Sequence, residues 1–242
     1  MYHSVDSSGS PISIGEAEFE RHVAWLASGK VRVVPFAEIG TLPATQDAVA
    51  ITFDDAFRNF GEFAWPRLKE HGLPATQFVV SDHTGATNKW GGRSESNIPS
   101  LPLHDWDELA RLAESGVELG CHSRTHPDMS KLPRTAIEAE MLESQAMIED
   151  RTGVVTRSFA YPYGYHGTDA RELAMEHFDQ SCTTELAVLP ERPQLNLLPR
   201  LDAWYYRSPA ALARLSNWGS FGFRAHLRVR ATARRLKASL SR

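Results

Sequence analysis

The chain has 242 residues, of which 42% are hydrophobic and 23% are charged, as is usual for a soluble globular protein. This length suits one α/β domain with a large buried core. The sequence has no apolar run of about 20 residues, so no membrane-spanning helix is predicted. The two cysteines, Cys121 and Cys182, are too few for a disulfide framework. A reduced, cytoplasmic protein without a signal peptide is therefore expected, unless an upstream start codon hides a targeting segment.

Charge is distributed unevenly along the chain, which has a net charge of −4. Residues 203–242 contain nine Lys or Arg and no Asp or Glu, whereas residues 1–202 contain 17 basic and 30 acidic residues. A basic tail on an acidic body is typical of a segment that contacts an anionic membrane surface. A solvated C-terminal helix explains the same pattern equally well. No nucleic-acid partner is expected.

The apolar periodicity predicts alternating strands and helices. In chain order the predicted elements are a strand end at 2–5, a helix at 16–28, strands at 31–34 and 49–53, a helix at 59–71, a strand at 75–80, a long loop at 81–104, a helix at 105–114, a strand at 117–121, a helix at 133–151, a strand at 158–161, a helix at 168–177 and a strand at 178–183. This order predicts a parallel sheet covered by helices, with a site at the C-terminal ends of the strands.

Two aspartates, Asp54 and Asp55, directly follow the predicted strand at 49–53. Adjacent strand residues point to opposite faces, but a chain that turns at the strand end can bring both carboxylates to one site. Such a pair commonly serves a metal ion and a proton transfer. Taken alone, the pair is more often a turn or a helix cap.

Two histidines, His122 and His126, follow the predicted strand at 117–121 and are four residues apart. Imidazoles at this spacing can bind one cation. Pro127 and the preceding strand favour a loop rather than a helix. Spacing alone also fits two surface histidines near a turn. The position of both the His pair and the Asp pair at strand ends favours a shared metal site.

An aromatic and proline-rich run, Tyr161-Pro162-Tyr163-Gly164, follows the predicted strand at 158–161. A rigid turn of this kind can hold a backbone N–H toward a developing oxyanion. A tight turn that only closes the core would have the same sequence.

These three segments together resemble a known family. Thr52-Phe53-Asp54-Asp55, the His122 to Pro127 run and Pro162-Tyr163-Gly164 are similar, in this order and separation, to the first three motifs of the polysaccharide deacetylases. These are the NodB-homology enzymes of carbohydrate esterase family 4. The opening MYHSV and the run from Gly116 to Met129 are also similar to that family. The resemblance covers roughly residues 1–202.

The resemblance implies a distorted (β/α)7 barrel, a relative of the TIM barrel, as the catalytic domain at 1–202, with residues 203–242 as a basic helical tail. It implies a divalent cation, usually zinc, with Co²⁺, Ni²⁺ or Mn²⁺ as alternatives. By position the cation ligands are Asp55, His122 and His126. Asp54 is then the general base, and the backbone N–H of Tyr163 helps to bind the oxyanion. The implied reaction removes the N-acetyl group of a GlcNAc-type sugar and releases acetate.

The chain departs from the family pattern at positions that matter for catalysis. Ala160 stands where motif three often has an arginine, and we predict that Arg200 orients Asp54 instead. The C-terminal Leu-x-His motif, which often supplies the general acid, is not evident. His3, at the end of the first predicted strand, is therefore a candidate acid or substrate-binding residue. A structural, hydrogen-bonded role for His3 is about as compatible with the sequence.

Other interpretations stay open at this stage. The same site can hydrolyse an O-acetyl ester or another linear amide. A metal-binding carbohydrate module without turnover is a further alternative, favoured by the missing acid and opposed by the complete set of ligands with Asp54. Trp90, in the predicted loop at 81–104, is a candidate for stacking on a sugar ring, although a single tryptophan more often serves packing.

Overall fold

The computed structural model describes residues 1–43, 45–92, 97–217 and 220–240, and describes only the backbone of residue 221 and of residues 233–240. In chain order the strands are β1 (Ser4–Val5), β2 (Ser13–Ile14), β3 (Arg32–Val33), β4 (Ala48–Val49), β5 (Ile51–Phe53), β6 (Ala75–Val79), β7 (Glu118–Cys121), β8 (Ser158–Ala160) and β9 (Gln180–Cys182). The α-helices are α1 (Glu16–Ala27), α2 (Phe36–Ile39), α3 (Trp65–Glu70), α4 (Trp106–Glu114), α5 (Arg134–Thr152), α6 (Thr168–His177), α7 (Pro209–Ala213) and α8 (Phe221–Leu240).

Parallel strands curl into a barrel. Strands β5 to β9 pair in chain order, while β1 pairs with β2 and β3 with β4, all in parallel. Tyr2 bridges to Phe53 and Leu198 bridges to Cys182, so a parallel segment extends the main sheet at each edge. Met1 then closes the barrel, because its backbone N donates to Leu201 O at 2.8 Å and its carbonyl accepts from Ala203 N at 3.0 Å. The described residues thus supply seven parallel segments, and the predicted distorted (β/α)7 barrel is confirmed.

The core has one layer inside the barrel and another between the strands and the helices. Phe78, Ala160 and Cys182 line the interior, where Phe36 packs edge to face on Phe78 with ring centroids 5.5 Å apart. The outer layer is the larger and contains apolar side chains from α1, α3, α4, α5 and α6. Full burial of one large apolar side chain stabilises a fold by roughly 1.5–3 kcal/mol. The strand ends that carry the polar residues are therefore held by packing on both faces.

Two predicted elements differ from the structure by more than one or two residues at their ends. The predicted strand at 49–53 is two strands, since β4 pairs with β3 whereas β5 pairs with β6. The predicted helix at 59–71 begins with a π-helical turn, Phe60–Ala64, in which Trp65 N donates to Phe60 O. Pro66 accounts for this turn, because it has no N–H to donate to Glu62 O and its ring crowds that carbonyl. The predicted helix at 168–177 is confirmed at both ends by α6.

The C-terminal segment contacts the barrel through the first part of α8. Phe223 and Leu227 are buried beside Leu186 and Tyr206. The proposed division of the chain at residues 202 and 203 stays a prediction. Part of the predicted basic tail, namely residues 218–219 and 241–242 and the side chains of 233–240, lies outside the described residues.

No helix in the described part of the chain combines the length and the apolar character that crossing a bilayer would require.

Candidate metal centre

The turn after β5 brings two adjacent carboxylates to one site. Asp54 N still pairs with Tyr2 O at 2.9 Å, whereas Asp55 and Ala56 adopt φ angles of 73° and 59°. A left-handed backbone at a residue other than glycine is uncommon and costs of order 1–3 kcal/mol, so the surrounding structure must hold it. In a continued strand, the side chains of Asp54 and Asp55 would point to opposite faces of the sheet. Because the chain turns here, both carboxylates can face the same site.

The buried side chains of Asp55, His122 and His126 converge at the C-terminal ends of β5 and β7. Each offers one ligand atom, and these atoms all lie within 4.8 Å of one another. Oδ1 of Asp55 lies 3.4 Å from Nε2 of each histidine. This buried oxygen has no hydrogen-bond partner among the residues that the structure describes. Because an unsatisfied buried oxygen is costly, the arrangement fits a cation bound by one carboxylate and two imidazoles.

The two histidines are held in different ways. Nδ1 of His122 donates to Ala160 O at 2.7 Å, which leaves the lone pair of Nε2 toward Asp55. Nδ1 of His126 has no partner within the described part of the chain. Its ring stacks on Trp90, with centroids 4.4 Å apart, and meets Tyr163 edge to face at 4.5 Å. One imidazole is thus fixed by a hydrogen bond and the other by two aromatic rings.

The pKa shifts of these histidines have opposite directions. Burial lowers the pKa of His126 to about 3, so this imidazole is neutral and able to act as a ligand at neutral pH. Burial also lowers the pKa of His122, but the Asp55 carboxylate, whose Oδ1 lies 3.4 Å from Nε2, and the charge of Asp54 outweigh burial and raise it overall. A cation at Asp55 would compete with that proton, because metal ligands bind in their deprotonated forms.

Asp54 forms a buried ion pair with Arg200, as predicted from the sequence. The guanidinium donates Nη1–H to Oδ1 at 2.6 Å and Nη2–H to Oδ2 at 2.7 Å. Arg200 also donates to Thr183 O at 2.8 Å and to the hydroxyl of Thr52 at 3.3 Å. Burial alone would raise the pKa of Asp54, but the charge and hydrogen bonds of Arg200 hold it well below its usual range. Asp54 is therefore an oriented and ionised carboxylate.

His3 lies at the open side of Asp54. Its Nε2 is 3.8 Å from Oδ2 of Asp54, and its side chain is 21% exposed. His3 can thus reach both the site and solvent. Its role as acid or substrate-binding residue stays a prediction.

The turn Pro162–Gly164 follows β8 and carries Tyr163 with a φ of 57°. The carbonyl of Tyr163 accepts from the hydroxyl of Thr184 at 3.0 Å. Gly164 has a φ of 74°, and a Cβ there would lie 2.2 Å from Oγ1 of Thr184, so only glycine fits. The turn is rigid and adjoins His126, while the oxyanion role of the Tyr163 N–H stays a prediction.

Sequence reasoning missed Glu140, a buried carboxylate of α5 that contacts the loop between the two histidines. Its Oε2 accepts from the backbone N–H groups of Arg124 at 2.9 Å and Thr125 at 2.8 Å, and its Oε1 accepts from the Thr125 hydroxyl at 2.7 Å. The available signal was a charged residue on the apolar face of a predicted helix, between Ile137 and Met141. A charge on such a face needs partners, and here the loop provides them.

The chain matches a family model described as Polysaccharide deacetylase over residues 41–177, which is more than half of its length. YxkH of Bacillus subtilis (strain 168), whose name places it among the polysaccharide deacetylases, is 27% identical over 192 residues, covering 76% of this chain and 63% of its own. The poly-beta-1,6-N-acetyl-D-glucosamine N-deacetylase of Staphylococcus aureus (strain MRSA252) is 26% identical over 172 residues, covering 65% and 56%. The chain thus matches about three fifths of the length of these curated relatives.

Among solved structures, IcaB from Ammonifex degensii superposes with a TM-score of 0.73 at 25% identity, covering 90% of this chain and 94% of that one. The likeness extends across nearly the whole barrel.

Proposed function

The chain belongs to the polysaccharide deacetylase family, and we propose that it is a metal-dependent hydrolase that removes the N-acetyl group of a GlcNAc-type sugar, polysaccharide or glycoconjugate and releases acetate. The observation that carries the proposal is the convergence of Asp55, His122 and His126, with ligand atoms within 4.8 Å of one another, beside the ionised Asp54. The name of the Staphylococcus aureus relative supports an N-acetylated glucosamine polymer as the substrate class.

Zn²⁺ is the cation that this donor set fits best, with Co²⁺, Ni²⁺ or Mn²⁺ as alternatives. Asp55, His122 and His126 would hold it through one oxygen and two nitrogens, the set that catalytic zinc sites use while they keep a position open. A cation bound there would supply a Lewis acid that polarises the acetyl carbonyl and makes water more acidic.

Asp54 is the proposed proton acceptor for the attacking water. Arg200 donates to both of its oxygens, so the carboxylate is ionised and held in one orientation. General bases placed in this way typically contribute about 10²–10⁴-fold to the rate. Arg200 also lowers the basicity of Asp54. The proposed contribution of Arg200 is therefore to keep Asp54 ionised and oriented, and not to raise its proton affinity.

His3 is the proposed proton donor to the leaving nitrogen. An amine anion is a very poor leaving group, so a protonated acid must reach this atom. His3 lies 3.8 Å from Asp54 and is partly exposed, so solvent can return its proton after each turnover. The backbone N–H of Tyr163 is the proposed donor to the oxyanion, where a fixed dipole is most effective.

A panel of acetylated sugars tests the proposal directly. Acetate release is measured from β-1,6-linked and β-1,4-linked N-acetylglucosamine oligomers and from an O-acetylated polysaccharide, with the protein as purified, after chelation and after Zn²⁺ is restored. Asp54→Asn is the catalytic control. Release that depends on Zn²⁺ and is lost in Asp54→Asn is expected, and release that survives chelation and this substitution would overturn the mechanism. Preference for the O-acetyl ester, or sugar binding without release, would instead support the corresponding alternative.

A further inference from the structure

We propose that Glu140 is a positioning residue of the metal centre, which holds the loop between His122 and His126 in the shape that directs both imidazoles at one cation. The inference rests on the proposed function, because it assumes that a cation binds there. Glu140 would act through the loop and not as a ligand, since its oxygens are occupied by the loop itself.

The carboxylate of Glu140 is committed to this loop. The residue is only 8% exposed, and both oxygens accept hydrogen bonds from Arg124 N, Thr125 N and the Thr125 hydroxyl at 2.7–2.9 Å. Within the described residues it forms no ion pair, although Arg124 is adjacent and instead pairs with Asp82 and Glu143. A buried carboxylate whose donors are mostly backbone N–H groups fixes main-chain geometry, because such charge-assisted bonds are short and strong.

The loop needs an anchor because its backbone is strained. Ser123 and His126 have φ angles of 68° and 62°, so the residue after the first ligand and the second ligand itself both have left-handed backbones in one short loop. Strained residues persist only where the surroundings determine their conformation. A second contact that holds this loop comes from the next turn of α5, where the Ser144 hydroxyl donates a hydrogen bond to Ser123 O at 3.0 Å. The Ser123 hydroxyl in turn accepts from His126 N at 3.0 Å.

Through these contacts, one face of α5 positions the loop between His122 and His126. Glu140 and Ser144 are one helical turn apart and therefore lie on the same side of the helix. Glu140 holds the middle of the loop, and Ser144 holds the residue after the first ligand. Residues that orient metal ligands typically change metal affinity about 10–100-fold when they are replaced.

The test measures Zn²⁺ affinity by competition with a chromophoric chelator in wild type, Glu140→Ala, Glu140→Gln and Glu143→Ala. Glu143 is the matched control, because it lies on the same helix with a 53% exposed side chain and, among the residues that the structure describes, pairs with the side chain of Arg124 rather than with the loop backbone. The visible spectrum of the Co²⁺-substituted proteins reports coordination geometry independently of activity. Urea unfolding of the metal-free proteins reports any effect on the fold alone.

Glu140→Ala is expected to weaken Zn²⁺ binding about 10–100-fold and to change the Co²⁺ spectrum, whereas Glu143→Ala leaves both unchanged. Glu140→Gln should recover most of the affinity, because its amide oxygen can still accept from the loop. Unchanged affinity and spectrum in Glu140→Ala would overturn the role of Glu140 while the metal centre stands. Failure of the wild type to bind Zn²⁺ would overturn the proposed metal centre itself. If Glu140→Ala does not fold, Thr125→Val decides, because it removes the hydroxyl that donates to Oε1 of Glu140. Weaker Zn²⁺ binding in Thr125→Val would support the inference, and wild-type affinity with an unchanged Co²⁺ spectrum would overturn it.

Discussion

Replacing Arg200 with methionine is expected to destabilise the metal-free protein by about 3–5 kcal/mol, the usual cost of breaking a buried ion pair by removing one partner. Asp54 is 1% exposed, and both of its oxygens accept from Arg200 at 2.6 and 2.7 Å. The substitution therefore leaves a buried carboxylate without its counter-charge. It also removes a donor from Thr183 O and from the Thr52 hydroxyl, at about 1–3 kcal/mol for each group left unsatisfied.

A double-mutant cycle separates this ion pair from the loss of the arginine side chain alone. Asp54→Asn with Arg200→Met removes both charges, so it is expected to be less destabilised than the sum of the two single variants. A coupling of about 0.5–3 kcal/mol is the range for residues in direct contact. Urea unfolding near pH 7 in chelator provides the free energies, since bound cation then makes no contribution.

Turnover provides the second measurement on the same residue. Arg200→Lys keeps a positive charge but loses the paired donors, so kcat should fall by about 10²-fold, the cost of misplacing a catalytic group by about 1 Å, while KM changes little. The reasoning about Asp54 would be wrong if Arg200→Met had the same urea midpoint of unfolding as the wild type and Arg200→Lys kept the wild-type kcat.

Further predictions concern the cation, pH and the tail. Saturating Zn²⁺ should raise the melting temperature of chelated protein, with about 2.7 kcal/mol of stabilisation at a hundredfold excess over Kd, and an unchanged melting curve would contradict the metal centre. Burial lowers the pKa of His22, which accepts from the Tyr2 hydroxyl and donates to Tyr206 O. The unfolded state then binds more protons below pH about 6.5, so stability falls as the pH drops through that value, by at most about 1.4 kcal/mol per pH unit. His22→Gln should flatten the fall in urea titrations between pH 7 and 5, and an equal slope would refute the assignment. Deleting residues 232–242, which contain four of the nine basic residues of the tail, should weaken any salt-sensitive binding to anionic liposomes while Phe223 and Leu227 keep their contacts, and undiminished binding would exclude residues 232–242 as the membrane contact.

The strand-end positions of the metal site could be predicted because they follow local patterns. The Asp54-Asp55 pair and His122 come directly after buried strands, with His126 four residues further on, and parallel strands bring their C-terminal ends together. The positive φ angles of Asp55 and His126 could not be foreseen, because tertiary contacts impose them against local preference. The pairing of Arg200 with Asp54 was predicted only because the arginine of motif three is absent. The two residues are 146 positions apart in the chain, so no local pattern relates them.

Other features of the structure could not be predicted, because the sequence pattern behind them is too weak. β2 and α2 are too short to show a period, being two and four residues long. The segment around Leu198 joins β9 through the bridge from Leu198 to Cys182 and is too short to show a strand pattern in the sequence. Glu140 bonds to backbone groups of a distant loop, and no spacing rule anticipates such a pairing.

The way the barrel closes also sets an expected order of assembly during folding. The three proposed ligands come from the first and third strands of the main sheet, whereas Arg200 arrives with the last segment, which joins Met1 through Leu201 and Ala203. Contacts across long stretches of chain form late, because loop closure costs entropy before they stabilise the fold. We therefore expect the ion pair between Arg200 and Asp54 to form only when the seam closes, so that Asp54 acquires its counter-charge and its orientation at that step.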